Sequence, residues 1–234
     1  MGVTSTNKVP RAVKVLFTGY MAVFTSVYWY LYGPTNFLYL CNVALFLALI
    51  GMWTKKSLPM SMAALGVTVP SIVWIVDFAS HLFGPPLIGM TSYMFDDEDG
   101  TLFVRSLALF HFWLPPLVIW LVIRIGYDSR AAFAWVATAW VFLLVCYLWT
   151  PASPLEAIDP KKPSNINLSF GLTGRQTRMP GIVWLGILML LQAVVVVVPM
   201  HCLLKRFAAP ASTRPSGLLP RLRFSRVEPS GRIV

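Results

Sequence analysis

Carboxylates are scarce in this sequence: nine Asp and Glu stand against nineteen Lys and Arg, and charged residues make up only 12% of 234 positions. A water-soluble domain carries about twice that charged share, so an ordinary soluble enzyme and an acidic disordered chain are both excluded. Cysteine is rarer still. Cys41, Cys146 and Cys202 all fall in apolar runs, which excludes a disulfide framework. No CxxC, G-x-S-x-G, Walker loop or repeated His box is present, and with them go the thioredoxin, serine-hydrolase and nucleotide-hydrolase classes. No internal repeat marks a solenoid. The first apolar run has no small-residue cleavage site and flows into the next, so no cleavable signal is expected.

What remains is apolar and aromatic. Hydrophobic residues reach 57%, with nine Trp and fifteen Phe, and the mean hydropathy is +0.69. Six apolar stretches follow, at 13–32, 36–54, 58–83, 102–124, 131–150 and 180–204, each about long enough to cross a bilayer as a helix. The first ends in Tyr28, Trp29, Tyr30 and Tyr32, an aromatic belt of the interfacial kind. Gly33-Pro34 makes a tight turn, and Lys55-Lys56 a basic loop. The expected fold is all-α, a polytopic bundle of six transmembrane helices. A polar lead (1–12) precedes it, and a basic, Pro-rich tail (205–234) follows it.

The net charge of +10 does not point to nucleic acid, because the excess sits in short loops and the tail. Fourteen of the nineteen Lys and Arg fall on the side shared by the N-terminus, the second and fourth loops and the tail. The positive-inside rule then predicts that both termini are cytoplasmic, in a bacterial inner membrane. The acidic run Asp96-Asp97-Glu98-Asp99 and the NINLSFG loop (165–171) would face outward. The run reads as a solvated loop or as a divalent-cation site. The expected partners are membrane lipids and a membrane protein.

Polar residues inside the apolar runs are the candidates for function, since a titratable group in hydrocarbon needs protein or water around it. His111 lies within LFVRSLALFHFWLPPLVIWLVIR, just before Pro115 and Pro116. Asp77 and His81 are spaced i, i+4 and share a helix face. With a rise of about 1.5 Å per residue, Cys41 sits ~8 Å, Asp77 ~9 Å and His111 ~13 Å below the outer edge. The sharper reading makes Cys41 a nucleophile, His111 its base and Asp77 (or His81) the group that orients the imidazole. Under the plainer reading, Cys41 is a small filler and His111 donates to a carbonyl freed by Pro115. Asp77 then merely bridges helices, and Asp77→Asn should be nearly silent. Asp77, His81 and His111 as metal ligands form a sparse signal; no metal and no cofactor are expected. Asn42, Asn165, Asn167 and His81 are candidate binding residues. His201 falls near the cytoplasmic rim.

Three segments carry a resemblance. FLYLCNVALFLALIGMWT resembles a helix of the YwaF-type bacterial integral membrane proteins, LALFHFWLPPLVIWLV is similar to their His helix, and NINLSFG to a late Asn-aromatic loop. The likeness spans 33–171 and departs at 113–116. Eukaryotic relatives of that family include a cysteine-dependent phospholipid acyltransferase and the androgen-induced hydrolases of branched fatty-acid esters. The resemblance implies acyl transfer or hydrolysis on a lipid ester, with Cys41 as nucleophile and His111 as base. YGPTNFL and FHFWLP are also similar to bacterial polytopic membrane-associated proteins of no assigned activity. The alternative reading is therefore a non-enzymatic membrane protein, either an accessory subunit or a small-solute or ion carrier.

Overall fold

The computed structural model describes residues 9–95, 101–159 and 162–208. The acidic run at 96–99, the residues before Val9 and the tail beyond Ala208 lie outside the described residues. Among the described residues the secondary structure is entirely helical. Eight α-helices run in order: α1 (Arg11–Tyr32), α2 (Leu40–Thr54), α3 (Ser57–Phe83), α4 (Leu102–Ser106), α5 (Phe110–Ile125), α6 (Arg130–Trp149), α7 (Gly181–Leu191) and α8 (Val198–Phe207). Five helical stretches are long and apolar enough to cross a membrane, counting α4–α5 and α7–α8 each as one; α2 is shorter. The chain has the build of a multi-pass membrane protein.

α3 is the centre of the bundle, packing against α2, α5, α6 and α8, while α1 lies against α2. Its sequence explains the position. Ser61, Ala63, Ala64, Gly66 and Ser71 are all fully or almost fully buried, and small side chains let neighbouring backbones approach closely where lipid supplies no hydrophobic drive. An added Cβ at Gly66 would collide with the Trp135 indole of α6, and one at Gly51 of α2 would sit 3.0 Å from Met60. Pro70 stands inside α3 without breaking it. It removes one backbone donor, and the packed neighbours hold the helix through the gap.

Three expected continuous helices prove interrupted, and each interruption has an identifiable partner or irregularity. The stretch expected at 36–54 is a 3-10 turn (Pro34–Leu38), a single extended residue, Tyr39, and then α2. The stretch at 102–124 passes through a 3-10 turn at Leu107–Leu109 between α4 and α5. The last span widens into a π-helical turn at Gln192–Val197 between α7 and α8. Unpaired backbone groups at membrane depth are tolerated only where side chains or other backbone reach them. Tyr20 donates to the Leu107 carbonyl at 2.7 Å, Tyr28 to that of Val104 at 3.4 Å, and His111 Nδ1 bonds that of Ala108 at 2.8 Å. α1 therefore stitches the α4–α5 kink closed.

The turn after α1 needs Gly33, whose φ of 74° lies in the left-handed region that favours glycine. At the end where α1 begins and α2 finishes, Trp53 donates to Thr18 at 2.9 Å and the Lys14 ammonium lies over the Trp53 ring at 5.2 Å. In the α5–α6 connection Asp128 accepts from Arg130, which holds its carboxyl below the usual carboxylate range, and its amide donates to Ser61. Tyr127 pairs with His201 Nδ1 at 2.6 Å, tying that connection to α8.

Candidate functional site

The candidates divide into three polar clusters, the first two of which meet through the Phe95 ring, packed against both His81 and Phe78. The first surrounds Asp77, which has no exposed surface. One carboxylate oxygen accepts from the amides of Ile88 (2.6 Å) and Gly89 (3.1 Å), and the other from the amide (2.9 Å) and hydroxyl (2.7 Å) of Thr91. Ser80, one turn on, donates to the Asp77 carbonyl and accepts from the Leu87 amide. Asp77 thus folds the segment after α3 back over the end of that helix. His81 does not join it: its ring stacks on Phe95 at 4.1 Å, and its Nδ1 is buried without a partner.

His111 belongs to the second cluster. Its ring lies between Trp74, at 4.6 Å and 6° from parallel, and Phe110, at 4.1 Å. Trp74 continues the stack onto Phe78 and donates its indole N–H to Tyr93. A carbonyl oxygen can only accept, so Nδ1 of His111 carries the proton toward Ala108 and Nε2 is left with the lone pair. The carbonyl engaged is that of Ala108, in the 3-10 turn. Pro115, four residues after His111, frees the carbonyl of His111 itself.

The third cluster closes the break before α2. Asn167 Oδ1 accepts from the Leu40 amide at 2.9 Å, while Asn167 Nδ2 donates to the Leu38 carbonyl at 2.9 Å and to Cys146 Sγ at 3.4 Å. Asn165 holds its own loop, donating to the Gly171 carbonyl and accepting from the Phe170 amide. Asn42 donates to the Asn36 carbonyl at 2.8 Å, and Cys41 Sγ makes a long contact of 3.7 Å with Asn42 Oδ1. Arg175 bridges Glu156 at 2.9 Å and lies over Phe170. That ion pair holds the Glu156 carboxyl below its usual range.

Among the described residues no hydrogen bond joins Cys41 to His111, and none joins Asp77 to either His81 or His111. Nor are three or more His, Cys, Asp or Glu grouped so as to hold a metal ion. Sequence reasoning passed over Asn36, which is 5% exposed with an unpartnered amide nitrogen, and Gln192, whose buried Oε1 is unpartnered at the start of the π-helical turn. An Asn or Gln within an apolar run was the available signal for both. Comparison with protein-family models, curated proteins and solved structures gave no match.

Proposed function

We propose that this chain is a non-catalytic multi-pass protein of a bacterial cytoplasmic membrane, serving as an accessory subunit beside a membrane protein partner. One observation carries the reading. The polar side chains at membrane depth that look most like catalysts, Asp77 and His111, are each bonded to backbone of this same chain. A carboxylate saturated by four donors is not available to orient an imidazole. Asn42, Asn165 and Asn167 are engaged in the same way.

Six spans with both termini inside complete the proposal. α2 alone is fifteen residues, about 22 Å, and the five-residue 3-10 turn before it adds ~10 Å. Together they approach the ~30 Å of hydrocarbon. The excess of Lys and Arg on one side sets the orientation. A reporter fused after Val234 is expected to be active only in the cytoplasm, and one inserted beside Asp97 only outside. A cytoplasmic signal at Asp97 would reverse the assignment.

The lipid-ester enzyme is the second reading. It is favoured by the partial exposure of Cys41 and by the free lone pair on His111 Nε2. A thiol-directed activity probe applied to membranes separates the two. The accessory reading expects Cys41 to label no faster than the exposed Cys202, with no change in His111→Ala. Selective labelling of Cys41 that falls at least tenfold in His111→Ala would establish the enzyme instead.

A further inference from the structure

The loop at 165–171 carries a concentration of backbone strain found nowhere else among the described residues. Asn165 (φ 45°), Asn167 (φ 57°) and Leu168 (φ 62°) all lie in the left-handed region. Asparagine tolerates that region, but for leucine it is a true outlier. Such conformations persist only where surrounding contacts hold them, and they cluster at switch regions. Asn165 bonds Gly171 and Phe170 within the loop and Trp184 donates to the Leu168 carbonyl, but the hydrogen bonds that tie the loop to the second helix come from one side chain. Asn167 uses its whole amide on the Leu38 carbonyl, the Leu40 amide and Cys146 Sγ. It thereby satisfies both backbone ends of the break at Tyr39, which α2 and its preceding 3-10 turn cannot satisfy for themselves. Ile166, next to it, is fully buried, and Cys146 beneath has no exposed surface.

We propose that 165–171 is a strained latch over the broken second helix, with Asn167 as its bolt, and that its release opens the α2 N-terminus and Cys146 to solvent. The latch works by opposition. Left-handed backbone at Leu168 pushes toward release, and the three Asn167 bonds hold it shut. Weakening either side moves the equilibrium in opposite directions, which a merely rigid loop would not do.

The test is the rate at which N-ethylmaleimide alkylates Cys146 in the full-length protein in detergent, read by mass spectrometry with Cys202 as internal reference. Asn167→Ala is expected to raise the Cys146 rate at least tenfold at an unchanged Cys202 rate. Leu168→Gly removes the strain while leaving every Asn167 bond, and is expected to lower the Cys146 rate several-fold. Because the two variants act with opposite sign, general unfolding cannot imitate the pair. Cys146 rates in Asn167→Ala equal to the native rate, or a Leu168→Gly rate that is not reduced, would overturn the latch.

Discussion

Asp77→Asn is expected to destabilise the protein by about 2–4 kcal/mol, although it changes one atom. Each carboxylate oxygen of Asp77 accepts two hydrogen bonds. An amide can present only one oxygen, so its nitrogen must face either the Ile88 and Gly89 amides or that of Thr91. The milder arrangement turns the Thr91 hydroxyl into an acceptor and still leaves the Thr91 N–H facing another donor. A buried donor without a partner costs ~1–3 kcal/mol, and the lost charge-assisted bonds add to it. Thermal unfolding in detergent should show the loss, and limited proteolysis should show cutting between Phe83 and Thr101. Thr91→Val, which deletes one donor and leaves the carboxylate, should lose about 1 kcal/mol. A silent Asp77→Asn would mean that the segment after α3 is held by something else.

The second large effect is expected at Gly66. Its missing side chain is filled by the indole of Trp135, which is 1% exposed and would collide with an added Cβ. Gly66→Ala should destabilise by about 1–3 kcal/mol through overpacking, against the gain that alanine normally brings to a helix. Gly66→Leu should do more. Gly19 in the middle of α1 is the contrast, because nothing lies within 4 Å of the position its Cβ would take. Gly19→Ala should be neutral or stabilising by up to ~1 kcal/mol. Trp135→Phe should rescue Gly66→Ala in part, which ties the loss to that one contact.

Both effects bear on how much the sequence disclosed. The apolar runs placed the spans closely: 58–83 against α3 at Ser57–Phe83, and 131–150 against α6 at Arg130–Trp149. Hydropathy is blind to a one-residue break, so the extended Tyr39 and the turn at Leu107–Leu109 left no trace in composition. What repairs the first break is Asn167, 127 positions away from Leu40, and spacing along the chain carries no such information. The depth estimates set Cys41, Asp77 and His111 in one half of the membrane, yet azimuth decides chemistry. The partners of Asp77 are backbone amides, which every residue but proline possesses, so no motif could have marked Ile88 or Gly89. The residue types were legible as unusual, and their engagement was not.

The central claim is that His111 serves the fold as a hydrogen-bond donor to the Ala108 carbonyl and does not serve Cys41 as a base. Nitrogen-15 spectra of selectively labelled histidine in the purified protein test it directly, with His111→Gln used to assign the ring. The account predicts an Nδ1-protonated imidazole whose signals are the same in the native protein and in Cys41→Ser. An Nε2-protonated ring, or an imidazolium signal that vanishes in Cys41→Ser, would contradict it.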